Sequence, residues 1–424
     1  MSDPVLEVAE RLWTGDASMR DVNPFFIGGD LAEVAPGTAF VPSFANAAVF
    51  LTDDGLVMVD TGSRFQADAV NKQVRAWRPD APLHTAVFTH GHVDHVFGVP
   101  IYEEEARTNK WVAPTVVAHE AVPHRFDRYR ETAGYNGIIN QRQFQAPNFR
   151  WPVDYRYPDV TYETSMTVEV GGESFELHHG RGETDDATWV YAPARKVLAC
   201  GDFFIWASPN AGNPQKVQRF AKDWADALRA MVATGAEVLL PGHGVPIVGR
   251  DRVVQALSDS AELLDFLHDE TLRMMNEGAS LDEIVHTVRA PSHLLERPYL
   301  RPVYDEPEFV VRNVYRLYGG WWDGDPSQLK PPPRAAFAAE MVALSGGVDA
   351  VAKRAVALAE AGDDASLRLA GQLAQLAVDA EPESKVAHNA RAEVYERRVA
   401  AEASTMSKGV FSWTAKESRD KLEL

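Results

Sequence analysis

Cysteine is nearly absent from this sequence: Cys200 is the single one among 424 residues. That excludes an internal disulfide framework, argues against a thiolate-built structural zinc knuckle, and suits a reducing compartment. Set in the apolar run KVLACGD, the thiol is expected on a buried strand and not as a reactive group. Long apolar runs are missing too, since nothing approaches the ~18 uninterrupted apolar residues of a spanning helix. The opening MSDPVLEVAERLWTG lacks the basic end and apolar stretch of a secretory signal, so a cytoplasmic location is expected. Basic charge is in deficit: 42 Lys and Arg against 61 Asp and Glu leave a net charge of −19, which repels nucleic-acid phosphates and anionic membrane surfaces. A small-molecule substrate is expected, with neither nucleic acid nor membrane as partner.

Apolar residues make up 45% of the chain, enough for more than one core. Residues 1–250 read as strands alternating with helices. NAAVFLTDDGLVMVDTG (46–62) is two apolar runs around Asp-Asp-Gly, the pattern of a β-hairpin. PLHTAVFTH, PTVVAHE, ARKVLACGD and AEVLLPGHG are short apolar runs with polar ends, the habit of buried strands that deliver functional groups at their tips. After Arg250 the period changes, with Val254, Leu257, Ala261, Leu264 and Leu267 at helical spacing. Residues 251–345 are expected to form a helical connector rich in proline and aromatics (RPYLRPVYDEP, YGGWWDGDP, LKPPP). Residues 346–424 return to alanine-rich helices; the turns EAGDDAS and DAEPESK mark one helix-turn-helix unit resembling the tetratricopeptide kind, for which packing or dimerisation is the expected role.

The chemistry concentrates in THGHVDH, residues 89–95. In an extended segment alternate side chains share a face, so His90, His92 and Asp94 converge, and His95 joins them if the chain turns into a helix there. Four adjacent ligands on one ion would be cramped, and two ions sharing the stretch relieve this. Further ligands are available at run ends and glycine-flanked turns: Glu183 in RGETDD, Asp202 in ACGDFF, and His243 in LLPGHG. Neutral imidazole with carboxylate suits zinc, with iron or manganese as alternatives.

These motifs, with Asp60 in the preceding VMVDTG, resemble in order those of the metallo-β-lactamase fold, an αββα sandwich with a dinuclear metal site at one edge. The resemblance implies that His90, His92 and residue 183 hold a first metal, that Asp94, His95 and His243 hold a second, and that Asp202 bridges. Most of that superfamily has histidine at 183 in a P-G-H-T context. Here the text is R-G-E-T, and glutamate there resembles the alkylsulfatase branch, the type III or zinc-dependent sulfatases. The blocks VRNVYRLYGGWWDGDPSQLKPPP, GGVDAVAKRAVALAEAGDDASLRLAGQLAQLAVDAEP and FSWTAKESRDKL resemble the helical dimerisation domain of those enzymes. The implied chain is an α/β metallo-β-lactamase sandwich followed by an all-α domain, a homodimer with two Zn2+ ions per chain. Two features depart from the branch. Its second glutamate, in an Ala-Glu-Asn context, is replaced here by Gly201-Asp202. The stretch implicated in gripping sulfate, which carries His, Tyr and Arg in the family, is here FFIWASPNAGNPQKVQRFAKDW, with Arg219 its only arginine.

Two divalent ions about 3.5–4 Å apart lower the pKa of a shared water from roughly 16 toward neutrality, giving a hydroxide nucleophile, and polarise a substrate oxygen. The expected function is therefore metal-dependent hydrolysis by an activated hydroxide, most directly of sulfate esters of aliphatic alcohols. The alternatives are the same chemistry on another ester, lactone, amide or phosphoester, and, from another class, a metal-stabilised interaction protein. Asp94 is counted as a catalytic ligand. His119 and Tyr135 are candidates to protonate the leaving alkoxide. Lys216 is a candidate anion contact, and the segment 135–144 resembles the family's active-site flank, which makes Asn140 and Arg142 candidate substrate contacts. Asp60 is expected to orient the ligand loop by hydrogen bonds.

Overall fold

The computed structural model describes residues 4–18, 22 and 29–423 and folds them around two sheets. The first sheet holds seven strands in sequence order: β1 (Ala32–Ala35), β2 (Thr38–Val41), β3 (Ala47–Thr52), β4 (Gly55–Val59), β5 (Leu83–Val87), β6 (Thr115–His119) and β7 (Val160–Tyr162). It is antiparallel from β1 to β4 and parallel from β4 to β7. The second sheet holds β8 (Ser165–Val170), β9 (Glu173–His179), β10 (Thr188–Ala192), β11 (Val197–Gly201), β12 (Val238–Pro241) and β13 (Ile247–Val248), with one parallel pair, β11 with β12. Parallel neighbours need crossovers, which is where the helices Ala67–Trp77, Val99–Asn109, Ala121–Glu131 and Ala221–Ala233 fall.

The apolar text of β3 and β4 is near-continuous because both of their faces are covered. Ala47, Val49, Leu56 and Met58 pack with Val70, Val74, Val99, Tyr102, Val122 and Phe126 of the helices. On the other face, Phe50 meets Phe175 of the second sheet edge to face, with ring centroids 5.2 Å apart. The Asp-Asp-Gly segment is the β3–β4 hairpin turn, closing with Thr52 opposite Gly55. Cys200 lies fully buried in β11, where burial pushes its thiol pKa up, so it is no reactive group.

The chain divides differently from the expected boundaries at 250 and 345. One compact unit comprises 1–133, 151–279 and 283–318; the other comprises 134–150, 280–282 and 319–424. The helix Arg250–Asn276 stays with the first unit because it packs against Ala221–Ala233, β12 and β13. Segment 134–150 joins the second unit although the sequence places it amid the strands. Its helix, Ala133–Phe144, meets the backbone at Gly409, where any β-carbon would lie 2.4 Å from the Gln143 carbonyl oxygen, and Gln145 Nε2 donates to Gly409 O at 2.8 Å.

The second unit is otherwise the helices Arg334–Leu344, Val348–Ala359, Asp364–Ala380, Lys385–Ala401 and Thr405–Glu423. The two expected turns are their N-caps: Asp363 accepts from Ser366 N, and Ser384 accepts from Ala387 N. Alanine at the contacts (Ala355, Ala359, Ala370, Ala374) lets the axes approach closely, with Leu367 and Val394 filling between them. No single helix among the described residues is long and apolar enough to cross a membrane.

Candidate metal centre

Every donor of the centre sits just past a strand end. His90 to His95 follow β5, Glu183 follows β9, Asp202 follows β11 and His243 follows β12. The structure brings them together as two sets whose donor atoms lie within 4.8 Å of one another: His90, His92, Glu183 and Asp202, and Asp94, His95 and His243. Asp202 reaches both sets. Its carboxylate lies 3.7 Å from His90 Nε2, 3.4 Å from His95 Nε2 and 3.4 Å from His243 Nε2.

Three of the four imidazoles are turned by their other nitrogen, while His92 Nδ1 faces His90 Nε2 at 2.8 Å. Asp60 Oδ2 takes His95 Nδ1 at 2.7 Å, while the same carboxylate accepts from Thr89 N (2.8 Å) and Thr89 Oγ1 (2.7 Å). The Thr89 hydroxyl, having donated to Asp60, is left to accept from His90 Nδ1 at 3.0 Å. His243 Nδ1 donates to the Phe44 carbonyl. In all three cases Nε2 is the atom left facing the cluster, the arrangement in which neutral imidazole presents a lone pair to a metal. Asp60 takes left-handed backbone (φ 60°), a conformation that persists only where the surroundings impose it.

Glu183 is turned by charge. Its Oε1 accepts from Arg219 Nη1 at 2.6 Å and from Asn210 Nδ2 at 2.6 Å, so Oε2 is left over. Buried with no hydrogen-bond partner are Glu183 Oε2, Asp202 Oδ1 and His95 Nε2, one atom from each of three ligands. Buried polar atoms without a hydrogen bond are costly, and three converging in one cluster fit a site for a cation.

The electrostatics separate the two sets, with His90 and His92 lowered and His95 and His243 raised. Burial pushes His90 down to about 4, helped by the charge of His95, and burial likewise lowers His92, so both are neutral ligands at pH 7. Burial opposes charging His95, but Asp60, Asp202 and Asp94 outweigh it and raise its pKa. Burial would raise Asp202, yet His243 and His95 hold it well below the carboxylate range. Burial lifts Glu183 to about 7 against the pull of Arg219. A carboxylate-rich pocket of this kind favours divalent cations over anions.

Several supports have no signal in the sequence. Arg125, buried, donates through Nε to Asp186 Oδ2 at 2.7 Å and also pairs with Asp185; Asp186 in turn accepts Gly91 N at 3.0 Å. A β-carbon at position 91 would come within 2.8 Å of Arg125 Cδ, so glycine between the two histidines is a packing requirement. Asn46 donates through Nδ2 to Pro241 O and Gly244 O, both at 3.1 Å, gripping the loop on either side of His243. Trp206, buried with φ 53°, donates to Val245 O at 2.7 Å beside the same loop.

The other sequence candidates distribute as follows. His119 is not a free acid: its Nδ1 accepts from Ala121 N at 3.2 Å and its Nε2 faces Glu163 O at 2.8 Å, so both nitrogens are committed to backbone, and its ring stacks on His179. Tyr135, Asn140 and Arg142 belong to the second unit. Tyr135 is exposed, and Asn140 is buried with its amide donating to Asn136 O within its own helix. Lys216 is half-buried in the first unit, with its ammonium 5.5 Å from the Trp151 ring centre. Burial and the Arg219 charge push its pKa down to about 8.

The comparisons follow the same plan. A metallo-beta-lactamase superfamily model matches residues 41–243, and an alkyl sulfatase dimerisation model matches 280–421, so the latter region begins well inside the expected connector. A linear primary-alkylsulfatase from Pseudomonas sp. is 27% identical over 396 residues, covering 87% of this chain and 73% of its own length. An (R)-specific secondary-alkylsulfatase from Pseudomonas sp is 30% identical over 379 residues, covering 83% of this chain and 57% of its own. The solved stereoselective inverting sec-alkylsulfatase Pisa1 from Pseudomonas sp. superposes with a TM-score of 0.82 at 27% identity, over 92% of this chain and 66% of that one. This chain therefore spans little more than half to about three quarters of the relatives it matches. Two adjoining donor sets at the strand ends, and matches that run in order along both units, show that the chain belongs to the metallo-β-lactamase superfamily, in the branch that carries an alkylsulfatase dimerisation domain.

Proposed function

We propose that this chain is a dinuclear zinc hydrolase of sulfate esters of aliphatic alcohols, working as a homodimer. The observation that carries the reading is the double donor set sharing Asp202, with a buried atom that makes no hydrogen bond in each of Glu183, Asp202 and His95. His90, His92 and Glu183 would hold one ion and Asp94, His95 and His243 the other, with Asp202 between them. Bound there, divalent ions supply Lewis acidity and a water acidified toward neutral pH.

The chain supplies the rest. Asp60, Thr89 and the Phe44 carbonyl hold three imidazoles in register, while Arg219 and Asn210 hold Glu183. Beside His243, with ring centroids 5.3 Å apart, stands Phe44, which packs with Ile205, Ala207, Val303 and Tyr304. This apolar cluster at the edge of the donor sets suits an alkyl chain and excludes water from one side of the site. The names of the alkylsulfatase relatives support the substrate class. A homodimer is supported by the dimerisation-family match and by the apolar residues Phe337, Met341 and Leu344, exposed along one helix.

The test is release of inorganic sulfate from a medium-chain alkyl sulfate by zinc-loaded protein, with Asp94→Ala as the control. Sulfate release that disappears in the control is the expected result. No release from protein that retains about two ions per chain, the number a two-metal site requires, would discard the substrate.

A further inference from the structure

We infer that Lys216 is the anchor for the anionic group of the substrate. The inference rests on the hydrolase reading above and names how its site recognises a sulfate ester. Residues 203–224 contain three cations: Lys216, Arg219 and Lys222. Arg219 is committed to Glu183 and to the Asn210 carbonyl. Lys222 is committed to Asp226 and Asp265. Among the described residues, the Lys216 ammonium has neither a hydrogen-bond acceptor nor an ion-pair partner.

Its position is built from the donor sets outward. The ring of His92 neighbours Tyr129, with centroids 6.3 Å apart; Tyr129 neighbours Trp151 at 4.9 Å; and the Lys216 ammonium lies 5.5 Å from the Trp151 ring centre. A row of aromatics thus leads from a metal ligand to an unpaired cation, and Trp151 is itself fixed by a hydrogen bond from Nε1 to Tyr155 OH at 2.9 Å. The acidic groups that Lys216 feels are Glu183 and Asp94, one from each donor set. Once those carboxylates neutralise divalent ions they no longer serve as counter-charges, and a half-buried ammonium beside dications calls for an anion from outside. A tetrahedral oxyanion on an alkyl chain meets this demand: its charge answers the ammonium at the end of the aromatic row, and its tail suits an apolar cluster such as the one around Phe44.

Calorimetric binding of inorganic sulfate to the zinc-loaded full chain tests this, comparing wild type with Lys216→Met, which keeps the apolar stem over Trp151, and with Lys216→Arg. Expected is a loss of sulfate affinity of about 10- to 100-fold in Lys216→Met, the scale of a hydrogen bond to a charged group, with largely retained affinity in Lys216→Arg and an unchanged zinc content in both. Equal affinity in wild type and Lys216→Met, or no sulfate binding by wild type, overturns the assignment. Alkyl sulfate turnover by wild type, measured in parallel, separates the two readings. Affinity lost in Lys216→Met without any wild-type turnover keeps the anchor and discards the sulfatase. Turnover with a KM unmoved by Lys216→Met keeps the sulfatase and discards the anchor.

Discussion

The two halves of the metal centre are held by opposite means. Around His90, His92 and Glu183, the carboxylate ligand is pinned by a cation, Arg219, and by the Asn210 amide. Around Asp94, His95 and His243, the imidazoles are pinned by acceptors, the Asp60 carboxylate and the Phe44 carbonyl. A carboxylate with one oxygen satisfied by donors presents the other, and an imidazole whose Nδ1–H is accepted presents the Nε2 lone pair. In the second half the surrounding carboxylates also raise His95 and His243, so a cation that binds there must displace protons. The first half depends on buried ion pairs, which are sensitive to pH and costly to break, whereas the second depends mostly on hydrogen bonds.

Asp202 is common to both halves, so Asp202→Ala should erase the contrast. Bound metal is expected to fall from about two ions per chain to fewer than one, and turnover by at least ~10²–10³-fold, the cost of removing one preorganised electrostatic element; metal analysis alongside kinetics reads both. Next in size is Arg219→Met, which strands Glu183. Breaking a buried pair costs about 3–5 kcal/mol, so the metal-free variant should melt well below wild type, and added zinc should raise its Tm more than it raises that of wild type. An unchanged metal-free Tm would mean that the pair contributes nothing to the fold.

Asp60→Asn addresses the other half. Loss of an outer-shell carboxylate weakens metal binding by about 10- to 100-fold, and the contrast predicts that chelator competition will show this for one of two ions only. Equal weakening of both would show that the halves are a single cooperative unit. A last test concerns pH. Burial raises Asp305, whose carboxylate accepts Gly212 N at 2.6 Å behind the Asn210 loop, to about 7 from 3.8. A carboxyl raised in this way binds more protons folded than unfolded between those two values, so stability falls as pH rises through that window. Asp305→Asn keeps an acceptor for Gly212 and cannot ionise. Its Tm should match wild type near pH 4 and exceed it at pH 8; parallel Tm profiles would contradict the assignment.

How much of this was legible before folding follows from distance along the chain. His90, His92, Asp94 and His95 share one short stretch, and Glu183, Asp202 and His243 stand at apolar-run ends, so residue type and local pattern suffice to nominate them. Their supports do not: Arg219 meets Glu183 across 36 positions, Arg125 meets Asp186 across 61, and Asn46 meets Pro241 across 195. Nothing local distinguishes Arg125 from the other arginines of its helix. His119 had the right residue type at a strand tip, and only the backbone around Glu163 and Ala121 shows that its nitrogens are occupied. The helix Ala133–Phe144 lies within the expected first domain, 1–250, and nothing local ties it to a partner at Gly409, hundreds of residues away.

The grip of Asn46 on the carbonyls flanking His243 sets an order of events. The turn at 43–46 is made early, but the loop it holds exists only when the chain has reached Gly244, so the last imidazole ligand cannot be seated until the second sheet has closed on the first. Closure across nearly 200 positions is slow compared with local hairpins and helices. An ion held by Asp94, His95 and His243 would then bind only after the two sheets have met, and a refolding chain should acquire it no faster than it buries Phe50 against Phe175.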